Sequence, residues 1–354
     1  MLQTTPGRQT AAHAALTIAA PVLFFALAWV FLTYEAPLGI PQSVFALTFV
    51  SITLEAFCFM LIGALVSGLV EVFIPRGVIE RCILGNRFAT VTGAAAMGFI
   101  FPVGQCAMVP VVRRLLRKGL PLPAGIAFML ATPIVNPIVI WSTLVAYQGN
   151  WFMPLFRTLL GYGIACMAGI CAGALFTNRT ALVDDPSRKD NPLTCEPHGT
   201  CGCSHNHHHE SEPFVSKAGR AVRHARDDFF DVGRYLIVGT FIAALVRSSI
   251  SMNVVEQMPR SSLIMIPAMM LLAFIVNLCS EADAFVAASF RWVVPLGAQL
   301  AFLVLGPMLD IRLLLMYRSL FRGKFIVFLS VLITILVAVY LIALSLALGK
   351  AGIV

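Results

Sequence analysis

Long apolar segments separated by short polar loops make up most of this chain. A helix needs about 20 apolar residues to cross a bilayer. The segments that meet this requirement are 14–34, 44–73, 121–147, 154–176, 233–252, 296–312 and 325–348. Two other apolar segments, 88–110 and 261–290, are interrupted by Gly, Pro or polar residues, and we interpret them as broken or re-entrant hairpins. The pattern predicts an all-α, polytopic transmembrane helix bundle.

Two stretches of the chain have the same layout. One runs from Cys106 to Asn136 and the other from Cys279 to Asp310, and each has a proline three residues before its end. A duplicated, proline-interrupted apolar segment in a membrane protein is typical of a transporter binding site. The duplication therefore predicts two pseudo-symmetric repeats.

The basic residues predict the orientation of the repeats. Lys and Arg are concentrated in the short loops 75–87, 111–120 and 312–324, which the positive-inside rule places in the cytoplasm. The loops near 35–43 and 147–153 have neither residue and should lie outside. Threading the chain this way puts the N-terminus inside and the C-terminus outside, and it makes the two repeats inverted relative to each other.

The same pattern divides the chain into four parts. We expect an N-terminal span at 1–43, a first membrane repeat at 44–176, a cytoplasmic polar linker at 177–231 and a second membrane repeat at 232–354. The N-terminal apolar run is longer than the core of a signal peptide, and we read it as a retained span. Within the linker, Lys217–Asp231 alternates basic and acidic residues and predicts a helix on the cytoplasmic surface.

Composition supports a multi-pass protein of the cell membrane. Hydrophobic residues make up 59% of the chain and charged residues only 12%, whereas soluble domains are about 25% charged. The net charge of +8 comes mostly from the short loops, so it requires no nucleic-acid partner. The expected partners are the lipid bilayer and a small-molecule or ion substrate; a homo-oligomer or an accessory membrane protein is left open.

The duplicated motifs resemble those of a known family. Phe101–Gly119 with Ala131–Pro137, and Leu278–Phe290 with Gly306–Asp310, are similar to the signatures of the predicted permease family DUF318 or UPF0718, which includes the organoarsenical efflux permeases. The resemblance covers about residues 45–345, with the motifs in the same order. It implies a membrane permease of two related halves. Characterised relatives are associated with efflux of trivalent organoarsenicals, and many members have no known substrate.

The chain departs from the family at one position. Family sequences often carry Cys-x-Cys in the first motif, but here Gly104 occupies the first of these two places and only Cys106 remains. The resemblance therefore does not supply a complete local dithiol.

The shared layout of the two stretches selects the candidate substrate site. Thiolates are soft ligands suited to soft metals, and trivalent arsenic is similarly soft. The prolines interrupt the helices and free backbone carbonyls, which amide or carboxyl oxygens can supplement. The alternative is that the two cysteines are inert buried thiols. The candidate substrate-binding residues are Cys106, Cys279, Asn136, Gln105, Pro133 and Pro307.

Four carboxylates in or beside apolar segments are candidates for carrying a coupling proton, because charges in the bilayer usually face a cavity or a partner. They are Glu55, Glu281, Asp283 and Asp310. Alternatives remain open: Glu281 or Asp283 pairs with Arg291, Asp310 faces the cytoplasm near Arg312, or the carboxylates lie at the interface.

The linker contains a tract that is dense in metal ligands. It consists of Cys195, Cys201, Cys203, His205, His207, His208 and His209. These side chains suit zinc or another transition metal, although their spacing is not that of a zinc finger. We expect no cofactor to be required for transport itself.

These features predict a secondary transporter, not an enzyme. The chain has no Gly-x4-Gly-Lys-Ser/Thr motif, so ATP hydrolysis by that route is not expected. The predicted substrate is a small soft-metal or metalloid species, exported by alternating access. One alternative is a divalent metal permease that uses the His/Cys tract. Another is a membrane redox or sensor protein that uses its cysteines.

Overall fold

The computed structural model describes residues 42–73, 86–101, 104–183, 214–249, 262–276 and 278–350. The predicted first span, 14–34, lies outside them. In this part of the chain the regular structure is helical, apart from an isolated bridge between Leu182 and Phe321. The all-α prediction is therefore confirmed. The helices are α1 (Gln42–Phe73), α2 (Arg87–Met97), α3 (Gln105–Arg117), α4 (Leu122–Val135), α5 (Pro137–Ala146), α6 (Phe152–Leu175), α7 (Asn178–Ala181), α8 (Phe214–Ser249), α9 (Ser262–Val276), α10 (Ser280–Ser289), α11 (Leu296–Met308), α12 (Ile311–Tyr317) and α13 (Gly323–Lys350).

Six segments of the described residues are long and apolar enough to cross a membrane. Four lie within the single helices α1, α6, α8 and α13. The other two each combine a pair of helices, α4 with α5 and α11 with α12. These six correspond to the six predicted spans that follow the first, so the polytopic bundle is also confirmed.

The order of helices repeats along the chain. A long helix, two short helices, an apolar helix that ends in a break, a short helix and another long helix occur as α1 to α6 and again as α8 to α13. The packing follows the same order: α4 lies against α2 and α6, and α11 lies against α9 and α13. The two long helices α1 and α8 pack on each other, and α4 contacts α11.

The two broken spans form the centre of the bundle. In the most apolar part of the α4–α5 span 78% of the residues are buried, and 83% in the α11–α12 span, compared with 28% for α1 and 33% for α13. The long helices therefore face outward, while the breaks after α4 and α11 are covered by protein. This is the condition under which irregular backbone is tolerated at membrane depth.

The charged stretch Lys217–Asp231 is helical, as predicted, and it forms the first part of α8. Its position at the cytoplasmic surface stays a prediction. Asp228 accepts hydrogen bonds from Arg114 at 2.8 and 2.9 Å and from Ser67 at 2.7 Å. Asp231 accepts one from Arg113 at 3.0 Å. These bonds satisfy the acidic residues against α3 and α1, so the helix continues through the charged stretch into the span.

Candidate functional site

A narrow crevice lies where the short helices α3 and α10 begin, beside α1 and α12. The space between its atoms is about 250 Å³, part of which is open to solvent. The crevice has room for about one water molecule. Its lining residues are Glu55, Ala56, Phe59, Gly104, Gln105, Cys106, Cys279, Ser280, Glu281 and Arg312. The structure thus brings the two candidate cysteines, one from each half, to the same crevice.

The two helices begin at the crevice in equivalent ways. Gly104 is the N-cap of α3 and Cys279 is the N-cap of α10, and both have extended backbone conformations. The Cys279 thiol accepts a hydrogen bond from the Ala282 amide at 3.4 Å. Counted from the caps, Gly104 corresponds to Cys279, and Cys106 corresponds to Glu281. The cysteines paired by the sequence comparison therefore occupy different helix positions.

Gln105 connects the crevice to the second break. It is buried on the first turn of α3, and its amide donates to the Leu278 carbonyl at 2.9 Å and to Asp310 at 3.4 Å. Its Oε1 atom has no hydrogen-bond partner among the described residues. The Gln105 side chain thus holds the start of α3 against the turn before α10 and against Asp310.

The residues after the two prolines cap helices. The Asn136 side chain accepts from the Ile138 amide at 3.0 Å and caps α5. The Asp310 side chain accepts from the Leu313 amide at 2.6 Å and caps α12. Both capping residues are buried. Helix caps of this kind satisfy amides that the break would otherwise leave without partners.

Three of the predicted substrate residues do not reach the crevice. Asn136, Pro133 and Pro307 lie in the buried spans α4–α5 and α11–α12, and they are not among its lining residues in the described part of the chain. Asn136 ends α4 and begins α5, while Pro133 and Pro307 lie within the last turns of α4 and α11.

The four candidate carboxylates lie in different surroundings. Glu55 and Glu281 are half-buried and line the crevice. Asp310 is fully buried and lies 3.5 Å from the guanidinium of Arg312. Arg312 is itself buried, so the two form an internal pair and do not reach the surface.

Asp283 is a buried carboxylate with one oxygen unpartnered in the described part of the chain. It is buried, its Oδ2 atom has no hydrogen-bond partner among the described residues, and a Cβ placed on Gly306 would approach that oxygen at 3.0 Å. The alternative pairing with Arg291 is not observed, because the Arg291 guanidinium lies over the ring of Trp292. A buried carboxylate oxygen without a donor is costly in its charged form.

Sequence reasoning missed Arg157, which lies near the start of α6 and is 1% exposed. Its guanidinium donates to Thr143 Oγ1 at 2.7 Å and to the Ser280 carbonyl at 2.8 Å. The available signal was a lone arginine in the predicted span 154–176, since charges at membrane depth are rare and functional.

The metal-ligand tract from Cys195 to His209 lies outside the described residues. Among the residues that the structure does describe, no group of three or more His, Cys, Asp or Glu side chains is arranged to hold a metal ion. The predicted metal binding by the tract remains a prediction.

Comparison with known proteins places the chain among permeases. Residues 43–346 match the model of ArsP_1, described as a predicted permease. The chain is 38% identical to UPF0718 protein YcgR of Bacillus subtilis strain 168 over 290 residues, which is 82% of this chain and 92% of the relative. It is 35% identical over 281 residues to a putative two-component membrane permease complex subunit of Streptococcus mutans serotype c, which is 78% of this chain and 87% of the relative. No solved structure matches the chain.

Proposed function

This chain belongs to the ArsP_1 family of predicted permeases, and from that premise we propose that it moves a small soft-metal or metalloid species, of the organoarsenical kind, across the cell membrane. The observation that supports this proposal is the crevice lined by Cys106 from one half and Cys279 from the other. Thiols are the ligands that soft centres prefer. A site between two halves is where alternating access requires the substrate to bind.

Binding of a trivalent arsenical follows from ordinary thiol chemistry. Each As–OH group exchanges with one thiol: the As–O bond breaks, an As–S bond forms, and the thiol proton leaves with the hydroxide as water. No oxidant or reductant is needed. Glu55 and Glu281 line the same crevice as the two cysteines, so either carboxylate can accept the thiol proton and pass it to the hydroxide.

Transport requires the crevice to open. Its present room for about one water is too small for a methylated arsenical, so the surrounding helices must move before the substrate enters. The helix α3 begins at the crevice with Gln105 and ends near Arg114, which is bonded to Asp228 of α8. A motion of α3 that opens the crevice would also displace Arg114 from Asp228.

We further propose that the two halves are inverted and that the substrate is exported. Two pairs of short helices pack across the halves: α5 lies against α10, and α12 lies against α3. A two-fold axis that exchanges the halves would generate both pairs together. The basic loops support the inversion because they place equivalent loops on opposite sides of the membrane.

A partner subunit fits this proposal. The streptococcal relative is named as a subunit of a two-component membrane permease complex. We propose that this chain also acts with an accessory membrane protein or with a second copy of itself. Copurification from mild detergent followed by mass spectrometry would identify the partner, and a monomer with full transport in vesicles would contradict this.

Thiol labelling with substrate protection tests the proposed function. The variant keeps only Cys106 and Cys279 of the nine cysteines. Its thiols are labelled with N-ethylmaleimide in membrane vesicles, with and without zinc, cobalt, arsenite or a trivalent methylarsenical as protectant. We expect the methylarsenical to protect both cysteines together. If both thiols are accessible but none of the compounds protects them, thiol ligation of the substrate is wrong.

A further inference from the structure

The turn that carries Cys279 is held from both sides by the other half of the protein. Leu278 and Cys279 lie outside the helices, between α9 and α10. The Leu278 carbonyl accepts from Gln105, and the Ser280 carbonyl accepts from Arg157. The two carbonyls that flank Cys279 in the sequence are thus both bonded by first-half side chains.

Arg157 reaches this turn from deep in the bundle. It lies on α6, and its two terminal nitrogens have different partners: Nη1 donates to Thr143 on α5, while Nη2 donates to Ser280 on α10. Burying a guanidinium costs much free energy unless it is well bonded. A fork of two donors in a fixed plane is the property that distinguishes Arg from Lys at such a place.

Arg157 makes no direct ion pair with a described carboxylate. No carboxylate of the described residues lies within 4.0 Å of its guanidinium, and its Nε atom has no partner there. The charged groups on the neighbouring elements are Asp283 and Glu281 on α10, which interact with it electrostatically at longer range. Its direct contacts are a hydroxyl and a carbonyl, which favours a geometric role.

We propose that Arg157, together with Gln105, is a positioning residue of the substrate site: it holds the Ser280 carbonyl so that the Cys279 thiol stays in the crevice with Cys106. This rests on the proposed function only in taking Cys279 as a substrate ligand. Through this contact the first half of the protein sets the geometry of a ligand that belongs to the second half.

The alkylation rate of Cys279 tests the proposal directly. The variant Arg157→Met is made in the full chain that keeps only Cys106 and Cys279, and both thiols are labelled with N-ethylmaleimide in vesicles. Methionine is apolar and of similar length, so it removes the donor without leaving a large cavity. We expect the Cys279 rate to rise by about tenfold or more, the factor that corresponds to losing one hydrogen bond to a charged donor.

A matched control separates positioning from general loosening. Thr143→Val removes the other partner of Arg157 while leaving its bond to Ser280 available. We expect this variant to label Cys279 at the wild-type rate, and we expect Cys106 to label at an unchanged rate in both variants. A Cys279 rate within twofold of wild type in Arg157→Met, or an equal rise with Thr143→Val, would overturn the proposal.

If Arg157→Met does not reach the membrane, Gln105→Met tests the proposal through the bond to the Leu278 carbonyl. We expect a raised Cys279 rate there as well, and an unchanged rate would overturn the proposal. Labelling needs neither substrate nor transport. A raised rate in a protein that no compound protects would refute the proposed function and leave the positioning role intact.

In vesicles that do transport, positioning has a second signature. Arg157→Met should raise the substrate concentration for half-maximal transport more than it lowers the maximal rate, because a displaced ligand weakens binding first. A lower maximal rate with an unchanged substrate concentration for half-maximal transport would contradict the positioning role.

Discussion

The breaks in the two central spans have the same order of helices and differ in charge. In each, an apolar helix with a proline near its end stops, and a buried polar side chain caps a short helix that follows. The first cap, Asn136, is neutral. The second, Asp310, is paired with Arg312 and bonded by Gln105.

The same contrast holds at the helix starts that line the crevice. The first half presents Gly104 and Cys106 there, whereas the second half presents Cys279 and Glu281 at the corresponding positions. A duplicated scaffold thus carries different side chains in its two halves, with the carboxylates concentrated in the second. Helix geometry can be shared between repeats while substrate ligation and coupling are divided between them.

The largest effect should come from Asp283, a buried carboxylate on α10 of the second half. Asp283→Asn removes the buried group with an unpartnered oxygen, and we expect it to abolish substrate accumulation driven by an imposed proton gradient. Exchange of labelled for unlabelled substrate should persist, because neither thiol is altered. Transport in proteoliposomes, with and without the gradient, measures both activities.

Asp228→Asn is the control for Asp283. Asp228 is equally buried, but its carboxylate is already bonded by Arg114 and Ser67 at the far end of α3. This variant should still respond to the proton gradient. If Asp228→Asn loses the response to the proton gradient and Asp283→Asn keeps it, the assignment of coupling to Asp283 is wrong.

The charged break should be more sensitive than the neutral one. Arg312→Gln leaves Asp310 buried without its cation, and breaking a buried pair from one side costs about 3–5 kcal/mol. The double variant Asp310→Asn/Arg312→Gln keeps a good helix cap and removes both charges, so it should be more stable than Arg312→Gln. Unfolding in detergent micelles gives the free energies; a strictly additive double variant would show that the two residues do not interact.

The neutral break should respond only through its cap. Asn136→Ala removes the acceptor for the Ile138 amide, and losing an N-cap costs about 1 kcal/mol. Asn136→Ser retains a good cap and should lose less. Unfolding in micelles distinguishes the two variants, and a cost for Asn136→Ala as large as that of Arg312→Gln would mean that the two breaks do not differ as described.

Much of the fold could be predicted from the sequence because apolar length and proline placement are local properties. The six described spans, and the two interrupted segments beside Cys106 and Cys279, were recognisable in that way. The charged stretch that begins α8 was recognisable as a helix, but its continuity with the span that follows was not. The ion pairs that bury Asp228 connect residues more than a hundred positions apart in the chain, and no local pattern reports them.

The site was less predictable for the same reason. The two cysteines could be chosen from the repeated layout, but the layout did not reveal which residues begin each helix. Only the caps show that Cys279 corresponds to Gly104. Asn136 was chosen as a substrate ligand, and the sequence did not reveal that its side chain caps α5; whether it also binds substrate stays a prediction. Arg157 was overlooked because its partners come from two other helices.

The smallest change should come from making the first helix start resemble the second. Gly104 has φ −66° and ψ 163°, a conformation that any residue adopts, and a Cβ there would lie 3.3 Å from the Phe59 ring. Gly104→Cys should therefore change stability by no more than about 1 kcal/mol. It adds a thiol at the position equivalent to Cys279, so a trivalent methylarsenical should bind several-fold more tightly. Gly104→Ser, which has the same size and no thiol, should not bind more tightly; equal affinities in the two variants would mean that a ligand at this position does not reach the substrate.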